Sequence, residues 1–217
     1  AAANYQQKPI DQEGRLYKHF KTYDEIPRDE QGNPLFRGIF SYTDTADEGS
    51  DWLAHYAYGV YNNEAYILDV VFSQDPMETT EPAVARSLFE NKVNAATIES
   101  NNGGRGFARQ VERRLHEEYH SNVTKVQWFH NGQNKIARIL SNSTWVMEHI
   151  YFPGNWRNRW PDLFDSLTRY QREGKNEHDD APDALTGVAE SVQNKVNISK
   201  RPSRRKQAKT LRKMGLV

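Results

Sequence analysis

Apolar residues near the start of the chain concentrate in three segments, residues 38–44, 52–61 and 65–72, separated by polar stretches. The second segment is rich in aromatic residues and the third in β-branched ones, which is typical of strands. Asn62 and Asn63 lie between them and are typical of a tight hairpin turn. The pattern predicts three antiparallel strands, the first of which ends at Asp44.

A helix is predicted after the third strand. Thr79 or Thr80 can cap its N-terminus, and Pro82 suits its first turn. One face of this helix carries apolar residues at helical spacing, namely Val84, Leu88 and Val93.

The remaining chain alternates short apolar runs with helical patterns. Residues 95–100 and 123–129 are predicted strands, and the first of these ends at Glu99. The glycine-rich turn at residues 101–106 opens a helix with one apolar stripe, Phe107, Val111 and Leu115. Further helices are predicted at 133–142, 159–171 and 180–193, and residues 145–153 are predicted to be a helix end followed by a short extended piece.

This order of elements predicts an α/β fold. Three antiparallel strands come first, and the strand–helix units that follow should add parallel strands. We therefore expect a mixed central sheet of five strands, or slightly more, with helices on both faces. Residues 1–36 are polar and interrupted by prolines and are predicted to form an extended lead-in, residues 37–194 the folded domain, and residues 195–217 a separate tail.

The composition excludes several classes of protein. A mean hydropathy of −0.92 and the lack of any apolar run near the ~20 residues of a membrane span argue against a membrane protein. The first ten residues do not have the pattern of a secretory signal. Cysteine is absent from all 217 residues, which excludes disulfides and thiolate zinc sites.

A net charge of zero hides an asymmetry between the body and the tail. Residues 195–217 contain nine of the 29 Lys and Arg residues and no acid, so the rest of the chain is acidic. Such a tail is predicted to be flexible. It could contact nucleic acid or an acidic protein, or it could serve only solubility.

Acidic residues follow two of the predicted strands and begin the last helix. If the strands ending at Asp44 and Glu99 are parallel neighbours, their carboxyl ends meet at one edge of the sheet, where open α/β sheets place ligands. Asp179, Asp180 and Asp183 could join them from the helix. The alternative for these three is helix capping, which "DDAPD" also suits.

Charge repulsion favours a metal ion over capping when the acids are taken together. Two carboxylates ~4 Å apart repel by about 4 kcal/mol at an effective dielectric constant of ~20. A divalent cation relieves this repulsion, and ligands that are all oxygen favour Mg²⁺ or Mn²⁺. Two such ions ~3.5–4 Å apart can clamp the attacking and leaving oxygens of a phosphodiester.

These motifs resemble the C-terminal nuclease domain of the large terminase subunit of tailed bacteriophages, which has a ribonuclease H-like fold. "YTDTADEGSDW" resembles the first-strand motif, "ATIESNNGGRGFA" the fourth-strand motif and "HDDAPDAL" the final helix, while "QNKIARI" is similar to a lysine-bearing helix start. "NYQQKPIDQEGRLYK" is similar to the segment that joins the ATPase domain to the nuclease. The chain has no G-x-x-x-x-G-K-[ST] motif, so the resemblance implies an isolated nuclease domain of a longer protein.

The resemblance implies a metal-dependent endonuclease that cuts concatemeric viral DNA during genome packaging in the host cytoplasm, without becoming part of the virion. Asp44 and Glu99 match metal ligands, with two Mg²⁺ or Mn²⁺ ions expected. For the third ligand Asp183 and Asp180 rank together, with Asp179 behind them. The implied partners are double-stranded DNA, the ATPase domain of the same chain, the portal protein and the small terminase subunit.

The chain before the basic tail is acidic overall, so it needs local basic groups to bind DNA. The candidate phosphate contacts lie beside the glycine turn and on the later helices: Arg105, Arg109, Lys135, Arg138, Arg157 and Arg159. The backbone N–H groups of Gly103, Gly104 and Arg105 could add to them. Two other readings stay open: another ribonuclease H-like nuclease, such as a junction resolvase or an RNA-strand nuclease, and a non-catalytic docking module of the packaging machine.

Overall fold

A mixed sheet of seven strands forms the centre of the computed structural model, which describes residues 14–46, 51–99 and 104–200. The sheet order within these residues is β1-β7-β4-β3-β2-β5-β6. The strands are β1 (Lys21–Tyr23), β2 (Ile39–Asp44), β3 (Leu53–Tyr61), β4 (Glu64–Ser73), β5 (Ala95–Glu99), β6 (Lys125–Phe129) and β7 (Ile150–Pro153).

The predicted order of the five longer strands is confirmed. β2, β3 and β4 are antiparallel, and β5 and β6 continue the sheet in parallel from β2. The turn between β3 and β4 consists of Asn62 and Asn63, both with positive φ (50° and 63°). Two such residues in succession reverse the chain with the twist that a hairpin needs.

Two short strands enlarge the sheet beyond the five that the pattern identified. β7 pairs in parallel with β4, and β1 pairs in parallel with β7 at the edge. The extended piece expected after the third predicted helix is β7. β1 has only three residues, too few to show a periodicity, and it lies within the segment expected to be a lead-in.

Six helices of the described chain lie on the two faces of the sheet: α1 (Met77–Glu90), α2 (Gly104–Glu117), α3 (Lys135–His149), α4 (Trp156–Arg159), α5 (Pro161–Arg169) and α6 (Asp180–Lys200). Residues of β3 divide between the two cores, as the side-chain period of a strand requires. Tyr56 and Tyr58 pack with α3, α5 and α6, while Leu53 and Ala57 pack with α1 and α2. The α/β class with helices on both faces is confirmed.

The predicted start of α1 was wrong by about one turn. The helix begins at Met77 after Pro76, and no side chain caps it. Thr80 lies inside the helix and donates its hydroxyl back to the Pro76 carbonyl at 3.4 Å, so it cannot cap. Pro82 also lies inside the helix, where its missing N–H removes one backbone hydrogen bond.

The ends of the chain are only partly described. Leu16 and Tyr17 of the expected lead-in are buried in the core on the α6 side of the sheet. α6 continues through Lys200, into the region expected to be a tail, and residues 1–13 and 201–217 lie outside the described residues. Within the described part of the chain, no helix combines the length and apolar character needed to cross a membrane.

Candidate metal centre

Three carboxylates meet at the edge of the sheet where β2 and β5 end. Asp44 is the last residue of β2 and Glu99 the last of β5, and the two strands are paired in parallel. Asp183 approaches from the first turn of α6. One carboxylate oxygen from each of the three lies within 4.8 Å of the others. We call these three residues the acid cluster; their exposures are 4%, 1% and 0%.

A close approach of α6 to β2 brings Asp183 to this edge. Gly187, one turn after Asp183, faces the ring of Tyr42, and a Cβ added there would overlap that ring. Any other residue would therefore push the helix away from the strand. The Tyr42 hydroxyl donates in turn to Glu99 Oε1.

The oxygens of the acid cluster are unequally satisfied. Glu99 Oε1 accepts from Tyr42 and from Asn131 Nδ2 at 3.1 Å, while Glu99 Oε2 is buried without a hydrogen-bond partner. Asp183 Oδ2 is likewise buried without a hydrogen-bond partner; its nearest cation is the Lys135 ammonium at 3.4 Å. Buried carboxylate oxygens left unpaired are costly, which makes them suitable ligands for a cation.

Burial and mutual repulsion raise the pKa values of two of these acids. Burial raises the pKa of Asp44 well above its ordinary value, with further increases from Glu99 and Asp183 and a partial decrease from Lys135. Burial raises the pKa of Asp183 to about 6, against the lowering effects of Arg138 and Lys135. Burial is the largest cause of both shifts, and the nearby cations compensate for it only in part.

Two cations of α3 provide that partial compensation. Lys135 Nζ lies 3.5 Å from Asp44 Oδ2, and its side chain remains 40% exposed. Burial lowers the pKa of Lys135, but the Asp44 and Asp183 carboxylates outweigh this and raise it. Lys135 therefore lies in the site itself and is still partly accessible from solvent.

Arg138 is not available for the phosphate contact that the sequence suggested. Its side chain is 5% exposed and donates to Asp183 Oδ1 at 2.8 Å and to both carboxylate oxygens of Glu190 at 3.3 and 2.8 Å. A guanidinium held in this way cannot reach a polymer outside the protein. Helical spacing placed Arg138 beside Lys135 but could not show that its side chain points inward.

Asp179 and Asp180 lie just before Asp183 and make different contacts. Asp180 Oδ2 accepts from the Trp52 backbone N–H at 3.2 Å, and the Asp179 carbonyl accepts from the Asp183 N–H at 2.9 Å. Among the described residues, neither belongs to the set whose carboxylate oxygens lie within 4.8 Å of one another. Asp183 therefore joins the acid cluster, while the Asp180 side chain is bound to the backbone just before β3.

The other predicted DNA contacts divide into two groups. Arg105 and Arg109 are exposed on α2, which begins a few residues after Glu99, and Arg105 lies over the Trp128 ring at 5.9 Å. Arg157 and Arg159 lie on α4 and pack over the Phe164 and Trp160 rings. Gly103 lies outside the described residues.

Several residues of the site were not predicted, namely Tyr42, Asn131 and Glu190. Two of them carry a signal that could have been used. Tyr42 lies two residues before Asp44 and so on the same face of the strand, and Glu190 lies seven residues after Asp183, on the same side of α6. Asn131 lies in the loop after β6, and no sequence pattern indicates its contact with Glu99.

The acid cluster fits a divalent cation. It supplies only carboxylate oxygens, of which two have no hydrogen-bond partner, and it lies beside a lysine whose side chain is partly exposed. Such ligands favour Mg²⁺ or Mn²⁺ over zinc or copper. The chemistry within reach is the binding and activation of an oxygen-rich, anionic substrate.

Comparison with known proteins places this geometry in context. Residues 43–150 match the family model described as the ribonuclease H-like domain of the bacteriophage T7 terminase. No curated protein sequence matches the chain.

Solved structures share the fold at low sequence identity. The chain is similar to a manganese-soaked terminase nuclease domain of human cytomegalovirus (15% identity, TM-score 0.51, covering 78% of this chain and 90% of that one). It is also similar to the nuclease domain of the large terminase subunit of bacterial virus Sf6 (13%, 0.51, 73% and 90%). A third is the large terminase of a thermophilic bacteriophage (11%, 0.53, 83%), of which the chain covers only 45%.

Proposed function

Residues 43–150 of this chain belong to a ribonuclease H-like domain of the terminase type, and from that premise we propose that the protein is a metal-dependent endonuclease of viral DNA packaging. The observation that carries the proposal is the convergence of Asp44, Glu99 and Asp183, buried and incompletely compensated, at one edge of the sheet. Three acids from β2, β5 and α6 meet there at a cost to the fold that a bound cation would offset.

The proposed substrate is double-stranded DNA, cut by hydrolysis of a phosphodiester bond. Bound Mg²⁺ or Mn²⁺ ions, two in our proposal, would activate water and stabilise the leaving oxygen. Asp44 and Asp183 would hold the first ion, and Asp44 would share the second with Glu99. The manganese-soaked cytomegalovirus domain supports this choice of metal.

The residues of the chain itself have separate roles in this proposal. Asp44, Glu99 and Asp183 hold the ions, and Asp180 and Asp179 stay near them as part of the helix start. Lys135, whose side chain is 40% exposed, would meet a phosphate oxygen from the solvent side. Arg105 and Arg109 on α2 would hold the DNA backbone through contacts that do not depend on base sequence.

Terminase large subunits also suggest the setting of the activity. We propose that the domain works with an ATPase domain in a longer chain, a portal protein and a small terminase subunit, in the cytoplasm of the host. Its cutting would then release unit genomes from concatemeric DNA, and the protein would not remain in the virion.

The test is the Asp44→Asn variant assayed with Mn²⁺ on duplex DNA, a four-way junction and an RNA–DNA hybrid. We expect the wild type to cut duplex DNA and the variant to lose more than about 1000-fold in rate, because charge stabilisation by metal ions is worth several kcal/mol. Circular dichroism should show an intact fold. The matched control is Asp162→Asn, an exposed aspartate of α5, which should cut at the wild-type rate.

Two results would contradict the proposal. Normal cutting by Asp44→Asn would remove the acid cluster from the mechanism. Preferential cutting of the junction or the hybrid by the wild type would keep the metal chemistry but replace the substrate.

A further inference from the structure

Arg138 is the most deeply buried cation beside the acid cluster, and its three nitrogens divide between two partners. Nη1 donates to Asp183 Oδ1 at 2.8 Å and lies 3.8 Å from Glu99 Oε1. Nε and Nη2 form a fork with the two oxygens of Glu190 at 3.3 and 2.8 Å. A two-point contact of this kind fixes the plane of the guanidinium as well as its position.

The hydrogen bonds around the cluster sort its oxygens into two sets. Asp183 Oδ1 is taken by Arg138, and Glu99 Oε1 by Tyr42 and Asn131. The other oxygen of each carboxylate, Asp183 Oδ2 and Glu99 Oε2, is buried and has no hydrogen-bond partner. Glu99 Oε2 and Asp183 Oδ2, the latter 3.4 Å from the Lys135 ammonium, are therefore the oxygens of these two residues without a hydrogen bond, and Arg138 decides which oxygen this is for Asp183.

We propose that Arg138, clamped by Glu190, is a positioning residue that limits Asp183 to one metal-binding oxygen and weakens the hold of the cluster on the divalent ion. The inference rests on the proposed metal-dependent function and assigns this residue a role within it. The guanidinium carries a full positive charge a few ångströms from the ligands, so it opposes the binding of a second cation. It also keeps Oδ1 occupied.

This arrangement has a functional purpose. Mg²⁺ keeps several water molecules, and reaction requires open positions for substrate and water. An aspartate that bound through both oxygens would fill one of those positions and hold the ion more tightly. Arg138 thus lowers the affinity of the acid cluster for the metal ion and keeps a coordination position open for the reaction.

The experiment measures Mn²⁺ affinity by calorimetry and DNA cutting separately in Arg138→Met. We expect the dissociation constant for Mn²⁺ to fall by about tenfold, because a nearby positive charge is lost and Asp183 Oδ1 is released. The cutting rate at saturating Mn²⁺ should fall by about 10–100-fold, the usual effect of removing a partner that orients a metal ligand. A purely structural arginine would lower the melting temperature without tightening metal binding.

A second variant keeps the proposal testable if Arg138→Met does not fold. Arg138→Lys retains the charge but cannot contact Asp183 and Glu190 through a fork. We expect slower cutting and a smaller increase in affinity than in Arg138→Met. The matched control is Gln193→Ala, which removes a 3.0 Å contact to Asn142 between the same two helices outside the acid cluster and should change neither quantity.

The outcomes distinguish this proposal from the proposed function. Unchanged or weaker Mn²⁺ binding in folded Arg138→Met, or wild-type cutting by Arg138→Lys, would overturn the role of Arg138 alone. Failure of the wild type to bind Mn²⁺ would overturn both.

Discussion

Two buried polar clusters lie back to back at the end of β2, and they differ in almost every physical respect. The acid cluster lies on the α6 side of the sheet. On the α1 side, Thr43, His55 and Ser87 form a second group, which we call the neutral cluster. Thr43 Oγ1 and His55 Nδ1 are 2.8 Å apart, and His55 Nε2 and Ser87 Oγ are 3.2 Å apart.

Adjacent residues of one strand belong to opposite clusters. Thr43 and Asp44 point to opposite faces because side chains alternate along a strand. In the neutral cluster both ring nitrogens of His55 have partners, and burial lowers the pKa of His55 to about 4, so the ring is uncharged. In the acid cluster two oxygens lack hydrogen-bond partners, and burial raises the pKa of both Asp44 and Asp183.

This difference in hydrogen bonding and charge indicates separate roles for the two clusters. A satisfied neutral network stabilises the fold and has no capacity left for a ligand. A buried, incompletely compensated set of acids destabilises the fold in order to bind something else. Changes in the two clusters should therefore have opposite effects on stability and activity.

The largest expected effect comes from neutralising one acid of the acid cluster without changing its shape. Glu99→Gln keeps the form of the side chain and an oxygen for the Tyr42 hydroxyl but removes one metal ligand. We expect cutting to fall by about 1000-fold, since several kcal/mol of metal stabilisation are lost. Without metal the variant should be at least as stable as the wild type, because repulsion with Asp44 and Asp183 is relieved.

Melting curves with and without Mn²⁺ check the stability half of this prediction. At 100 times its dissociation constant, Mn²⁺ should stabilise the wild type by about 2.7 kcal/mol and stabilise Glu99→Gln by less, because one of the ion ligands is lost. The control Glu90→Gln, at the exposed end of α1, should behave as the wild type. If Mn²⁺ raised the melting temperatures of Glu99→Gln and Glu90→Gln equally, the ion would bind outside the acid cluster.

The neutral cluster should instead govern stability in acid. The pKa of His55 is about 4 in the folded protein, whereas its ordinary value is 6.5. Between pH 6.5 and 4, His55 is therefore protonated in the unfolded chain and neutral in the folded one. The free energy of unfolding should therefore fall by up to about 3 kcal/mol between pH 6.5 and 4. The raised pKa of Asp183 acts in the opposite direction, because protonation of this acid in the folded protein increases the free energy of unfolding as the pH falls below about 6.

A comparison with His55→Gln isolates the histidine, because Asp183 is common to both proteins. Denaturant titrations at several pH values should show the loss in the wild type and not in the variant. Parallel pH profiles for the two proteins would mean that His55 does not titrate as proposed.

The smallest expected effect is the removal of a single hydroxyl from the neutral cluster. Ser87→Ala leaves His55 Nε2 buried without a partner, which should cost about 1–3 kcal/mol in the free energy of unfolding. Cutting and Mn²⁺ affinity should not change, since the sheet separates Ser87 from the acids. Thermal unfolding checks the first expectation, with Thr79→Ala on the exposed side of α1 as the control. Lost cutting in a folded Ser87→Ala protein would show that the two clusters are coupled.

Most of the sheet could be predicted from local patterns. The five longer strands and the Asn62–Asn63 turn follow from short-range features that need only a few neighbouring residues. The start of α1 could not be placed, because proline and threonine satisfy the rules for a helix start at more than one position. β1 could not be found because its partner, β7, lies more than 120 residues away.

The sequence by itself determined that Asp44 and Glu99 end two strands and that Asp183 lies in the first turn of a helix, since hydrophobic periodicity fixes where elements begin and end. Only the tertiary structure decided that Asp183 joins them while Asp180 binds the Trp52 backbone, and that Arg138 points inward to Glu190. The physical reason is that contacts across 52 to 128 residues depend on how closely α3 and α6 pack against the sheet, which no local pattern encodes.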